Sequence, residues 1–154
     1  MFKSLCFPGI FIFIITCIFS GDVFAQAERP SFGVGVIIGE PTGVSVKKYL
    51  NTRGAFDIGA AWSLADQNEA LHLHTNLLFQ DGITKNPNLY FYHGVGARVL
   101  FANDAKFGIR APLGLAYLFP NIPFDLFVEI APILDLTPDI GFAGNGGFGF
   151  RYYF

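Results

Sequence analysis

The closing stretch Gly147-Phe148-Gly149-Phe150-Arg151-Tyr152-Tyr153-Phe154 decides the fold. Successive side chains of a β-strand point to opposite faces. One face of this stretch therefore carries Phe148, Phe150, Tyr152 and Phe154, and the other carries Gly147, Gly149 and Arg151. Glycine and an arginine oppose a row of aromatics, so the bulky face and the polar face have exchanged the sizes expected of a soluble sheet.

The same parity runs back along the chain. From Phe32 onward, eight runs alternate in this way: Phe32 to Gly39, Gly43 to Leu50, Ala55 to Ser63, Ala70 to Phe79, Tyr90 to Leu100, Lys106 to Leu118, Phe124 to Leu136 and Gly144 to Phe154. Segments rich in Pro, Gly, Asn and Asp separate them, the longest being Gln80 to Leu89, and these residues supply turn dihedrals and local hydrogen bonds. Phe56, Ile58, Leu73, Leu77, Ile109, Leu115, Leu126 and Val128 share the aromatic face. Ser45, Lys47, Asp57, His72, His74, Asn76, Arg98, Arg110, Asp125, Glu129 and Arg151 share the face thinned by glycine.

Small residues belong inside a narrow barrel, and the large apolar ones then lie outside. The reading is an all-β protein, an eight-stranded antiparallel up-and-down transmembrane β-barrel over residues 26–154. Closure pairs every strand, which is what allows a sheet to cross hydrocarbon. Lys48 is the one charge that the alternation places outward, near the end of its strand, where it can snorkel. Tyr49, Trp62, Tyr90, Phe91, Tyr92, Tyr117, Phe119, Tyr152 and Phe154 supply candidate aromatic girdles.

Composition agrees. The chain has 154 residues, of which 52% are hydrophobic, 17% aromatic and only 14% charged, with a formal net charge of −2. A nucleic-acid partner would call for clustered Lys and Arg, and none is expected. Residues 1–25 read as a cleaved signal peptide: Lys3, an apolar run from Leu5 to Phe19, and Val23-Phe24-Ala25 before Gln26. That run is too short for a membrane helix, which needs roughly 20 residues. Lipidation at Cys17 is the alternative, but Thr16 fits it poorly. Cys6 and Cys17 both fall in the removed segment, so the mature chain has no disulfide and no catalytic thiol.

The aromatic ladder Phe148, Phe150, Tyr152 and terminal Phe154 resembles the assembly signal read by the barrel-insertion machinery of bacterial outer membranes. The region Phe32 to Phe154 resembles the small outer-membrane barrels of the OmpA/OmpX type. It is closer still to a family of short outer-membrane barrel proteins with no assigned activity. The closer likeness is carried by Gly35-Val36-Ile37-Ile38-Gly39-Glu40-Pro41-Thr42-Gly43, Arg110-Ala111-Pro112-Leu113-Gly114-Leu115, Phe127-Val128-Glu129-Ile130-Ala131-Pro132 and the closing hexapeptide. The resemblance implies a location in the bacterial outer membrane, with its lipid and the insertion machinery as partners. Short connections argue against an adhesin, whose function lives in long external loops.

Lys47, Asp57, Arg98, Arg110, Glu129 and Arg151 are the candidate site, a charge network that closes the lumen, because buried charges need partners. A narrow pore is the alternative reading. His72 and His74 face the same way, but two imidazoles without a third ligand make a weak metal site, so no metal and no cofactor are expected. An outer-membrane lipid A deacylase or acyltransferase would need a nucleophile beside a base. Ser45, Ser63, Thr75, the histidines and Glu129 supply residue types without a motif, and the expectation is a non-enzymatic structural or interaction protein of the envelope.

Overall fold

The computed structural model describes residues 31–62, 70–83, 85–102 and 104–154. The expected signal peptide, its cleavage site, both cysteines, Ser63 and the Leu64 to Glu69 connection lie outside the described residues. Nine strands follow in order: β1 (Phe32–Glu40), β2 (Thr42–Tyr49), β3 (Gly54–Trp62), β4 (Leu71–Ile83), β5 (Asn86–Phe101), β6 (Lys106–Arg110), β7 (Leu113–Leu118), β8 (Phe124–Thr137) and β9 (Gly141–Tyr153). All pairings are antiparallel, and β1–β9 together with β4–β5 close the sheet into a ring.

The count of nine corrects the expected eight at one place. The run from Lys106 to Leu118 is broken at Ala111 and Pro112 into β6 and β7, which lie one after the other between β5 and β8. Proline has no N–H to give to a ladder. The seam is held instead by Ala111 N–H donating to Pro132 O and Gly94 N–H donating to Pro112 O, both at 2.9 Å. Eight strand positions therefore surround the lumen.

Two connections are also shorter than the sequence implies. Residues Gln80 to Leu89, read as a long loop, mostly continue the β4–β5 ladder, with Asp81 opposite Phe91 and Gly82 opposite Tyr90. The β8–β9 hairpin extends to the pair Asp135 and Gly141. Elsewhere turn chemistry closes the chain as its residues suggest. Asn51 Oδ1 accepts from the N–H groups of Arg53 (2.9 Å) and Gly54 (2.7 Å), and Thr42 Oγ1 donates to Gly39 O at 2.8 Å.

Tracing paired residues around the ring, from Val34 through Val46, Ile58, Thr75, Ala97, Ile109, Leu134 and Phe142, returns to β1 about ten residues further along. That stagger tilts the strands by about 40° and leaves an interior that side chains can fill. The outward row is mostly apolar on every strand, with Val34, Val44, Ile58, Leu73, Val95, Ile109, Leu115, Val128 and Phe148 each at least 39% exposed, and Lys48 and His93 also lie on it.

The lumen has two kinds of filling. Toward the end that holds Tyr153, the buried apolar side chains Ala55, Leu78, Tyr92, Ala116 and Phe127 pack together. Polar and charged side chains fill the remainder together with Ala61, Ala131 and Ile133, and Asp125 and Arg151 stand at the Tyr153 end as well.

Candidate functional site in the lumen

Period two delivers the expected charges to one place. Lys47, Asp57, Arg98, Arg110 and Arg151 are all buried inside the ring, and the Glu129 side chain is only 12% exposed. They are not one network but several clusters stacked along the barrel.

The first is built on Arg151. Its Nη2 lies 3.2 Å from Asp57 Oδ2, its Nε donates to Ser45 Oγ at 2.9 Å, and its Nη1 lies 3.7 Å from Asp125 Oδ2. Ser45 Oγ in turn donates to Asp57 Oδ2 at 3.0 Å, and Asn76 Nδ2 donates to Asp57 Oδ1 at 2.8 Å. Tyr153 Oη donates to Asp125 Oδ2 at 2.6 Å, and the Arg151 guanidinium rests 3.7 Å above the Phe127 ring. A carboxylate held by three donors and an arginine held between two carboxylates is the arrangement that offsets burial of charge.

The second cluster is Arg110 Nη2 to Glu129 Oε1 at 2.6 Å, with Tyr92 Oη donating to Glu129 Oε2 at 3.0 Å. The third is a fork between Arg98 and Asp135, with Nη2 at 2.8 Å from both carboxylate oxygens and Nε at 3.2 Å from Oδ1. Lys47 stands apart: its Nζ makes no hydrogen bond and lies over the rings of Tyr49 (4.7 Å) and Tyr92 (5.5 Å).

The room for these side chains comes from glycine in a repeated arrangement. Gly35 is the register partner of Arg151, Gly59 of His74, Gly96 of Asn76, Gly108 of Asp135 and Gly114 of Tyr92. A Cβ on Gly59 would lie 2.3 Å from the His74 ring, and one on Gly114 would lie 2.4 Å from the Tyr92 hydroxyl. Each long inward side chain thus crosses over a position without one.

Asp135 and Asp125 complete the charge balance, and Asp135 was not among the expected residues. The signal was available, since Asp135 has the parity of Asp125 and Glu129 on one strand. Tyr92 and Tyr49 are corrections in the other direction. Both are girdle candidates by sequence, yet Tyr92 is 1% exposed within the lumen and Tyr49 turns inward to stack on Tyr153 at 5.5 Å. Their neighbours in sequence, Phe91 and Lys48, take the outward positions.

His72 and His74 both point inward, and His74 Nε2 lies 3.8 Å from Asp57 Oδ1 while neither of its ring nitrogens makes a hydrogen bond. Among the described residues no group of three His, Cys, Asp or Glu side chains is placed to hold a metal ion. Ser45 is engaged with Asp57 and Arg151 rather than with an imidazole. Near the β1–β2 turn, Glu40, His74, Arg110, Glu129 and Asn145 line a cavity of about 20 Å³, the space of a single water.

Phe148, Phe150 and Tyr152 all face outward, with Phe124 stacked on Phe150 at 5.5 Å and Phe154 edge-on to Tyr152 at 4.9 Å. Phe154 N–H donates to Phe32 O at 2.8 Å and so helps join the two ends of the described chain. Comparison of the chain with family models, curated proteins and solved structures finds no match.

Proposed function

We propose that this protein is a non-enzymatic barrel of the bacterial outer membrane, with a structural or interaction role in the envelope and a lumen closed by its own side chains. One observation carries the reading: every strand of the ring turns large apolar side chains outward, while the charged side chains Lys47, Asp57, Arg98, Arg110, Asp125, Asp135 and Arg151 are buried inside. In water a continuous apolar belt of this extent would drive association, whereas lipid satisfies it. Strand pairing around the whole circumference leaves the backbone of the belt hydrogen-bonded, as hydrocarbon demands. The OmpA/OmpX-like pattern and the signal-peptide pattern read in residues 1–25 support this location.

A closed lumen is supported by its filling, apolar side chains around Tyr92 and Phe127 and ion pairs along its length. Eight-stranded barrels have interiors that side chains fill. Density separation of membranes from expressing cells tests the location. Recovery with the outer membrane supports it, and recovery in the soluble periplasm refutes it. Planar-bilayer recordings that show discrete conductance steps would favour the pore, and a changed lipid A mass on expression would favour an enzyme.

A further inference from the structure

Two prolines interrupt the wall at a single level. Residues that oppose each other as a hydrogen-bonded antiparallel pair exchange two N–H···O bonds. Gly94 N–H donates to Pro112 O and Ala111 N–H donates to Pro132 O, both at 2.9 Å. Neither bond can be returned, because Pro112 has no N–H for the carbonyl of Gly94 and Pro132 has none for that of Ala111. The pairing stops accordingly. β5 leaves β6 at Gly96 with Arg110 and meets β7 from His93 with Leu113, while β8 meets β6 up to Ile133 and β7 up to Ile130. A wall that lacks two ladder bonds side by side is weakest there.

Side chains in the lumen span this break on both of its sides. Arg98 on β5, Gly108 on β6 and Asp135 on β8 are register partners in one row, and the Arg98–Asp135 pair crosses over the glycine. Beyond the break, Tyr92 on β5, Gly114 on β7 and Glu129 on β8 form a second row of the same kind, in which Tyr92 Oη donates to Glu129 Oε2 at 3.0 Å. A Cβ on Gly108 would lie 2.6 Å from Asp135 Oδ1, and one on Gly114 would lie 2.3 Å from the Tyr92 ring, so each crossing needs its glycine. Arg110, the last residue of β6, reaches past the break to Glu129 Oε1 at 2.6 Å. β5 and β8 are thus tied to each other from inside, over a strand that is itself in two pieces of five and six residues.

We propose that the wall has a built-in opening point at Ala111 and Pro112, held shut from the lumen by two side-chain straps, Arg98–Asp135 and Tyr92–Glu129. When a strap lets go, the short strands part locally from their neighbours and join the lumen beside Arg110 and Glu129 to the outer face of the ring. The β1–β2 and β2–β3 ladders, which run without a register shift, stay closed meanwhile. This device belongs to the ring itself and goes beyond the proposed function, since it does not depend on which solvent surrounds the barrel.

Amide hydrogen exchange, read by NMR on the chain folded in detergent micelles, tests the device. In the unsubstituted chain the Gly94 and Ala111 amides are expected to be protected about tenfold less than the paired amides of β2 and β3. Tyr92→Phe removes one strap bond and keeps the ring, and it should lower the protection of those two amides about tenfold further. Pro132→Ala gives the Ala111 carbonyl its missing donor from a side chain position on the outer face, and it should raise the protection of the Ala111 amide about tenfold. The combined variant is expected to return that amide close to its level in the unsubstituted chain. Equal protection at the break and in β2–β3 of the unsubstituted chain overturns the opening point, and this comparison decides alone should a variant not fold. Unchanged protection of Gly94 and Ala111 in Tyr92→Phe overturns the strap, and an Ala111 amide indifferent to Pro132→Ala overturns the prolines as its cause.

Discussion

Gly35 and Arg151 are direct cross-strand partners, and a Cβ on Gly35 would lie 2.7 Å from both the Cα and Cγ of Arg151 and 1.9 Å from the carbonyl oxygen of Phe150. One of the three buried arginines lies over a residue without a side chain on the neighbouring strand, and the backbone itself closes on that space. Gly35→Ala is expected to force β1 and β9 apart and cost about 1–3 kcal/mol. Gly144→Ala is the matched control on the outward face, where the nearest atom is 4.0 Å from the added carbon, and its effect is expected within about 0.5 kcal/mol. Urea midpoints of the two variants in detergent, each compared with the unchanged chain, give both values.

Arg98 and Asp135 form the closest two-pronged pair, with side chains 5% and 8% exposed. Arg98→Met leaves the Asp135 carboxylate buried without its partner and is expected to cost about 3–5 kcal/mol. The double change Arg98→Met with Asp135→Leu removes both charges, and its cost is expected to be smaller than that of the single change. A double-mutant cycle on the same urea transition reads the coupling directly.

Lys47 should behave differently, since no hydrogen bond of its ammonium group would be lost. Lys47→Met keeps the length of the side chain between Tyr49 and Tyr92 and releases a buried charge. The expected result is a barrel at least as stable as the parent, in contrast to Arg98→Met. A loss above about 2 kcal/mol in the urea transition would assign Lys47 to the ion-paired set instead.

Tyr92 joins the apolar filling to the Arg110–Glu129 pair. Tyr92→Phe removes only the hydroxyl that donates to Glu129 and should cost about 1–2 kcal/mol, while Tyr92→Ala also opens a cavity beside Leu78 and Phe127 and should cost about 3–5 kcal/mol. The difference between the two variants, read from thermal or urea unfolding, separates the hydroxyl from the ring.

Parity makes most of this structure legible in the sequence. It assigned Lys47, Asp57, Arg98, Arg110, Glu129 and Arg151 to one face, and that face is the interior. What parity cannot supply is which charges meet, because Arg151 reaches Asp57 and Ser45 across 94 and 106 residues of sequence. Tyr92 reads as a girdle residue because Tyr90, Phe91 and Tyr92 are all aromatic, and composition alone hides their alternation. The break at Pro112 was written in the chain, as proline is confined to edges and interruptions of a sheet. The length of the β4–β5 hairpin was not. Asp81, Gly82 and Asn86 are turn-forming types, yet here they stand in the β4–β5 ladder, and Arg53 pairs with Asp81.

The closed barrel in lipid is tested most directly by folding the chain from urea into phosphatidylcholine vesicles and running it on SDS gels with and without boiling. A compact band that migrates apart from the boiled form, and that appears only when lipid or detergent micelles are present, is expected of a hydrogen-bonded ring whose apolar face needs hydrocarbon. Identical migration with and without boiling, from a chain that folds in plain buffer, would contradict it and make the outward apolar rows the inside of some other assembly.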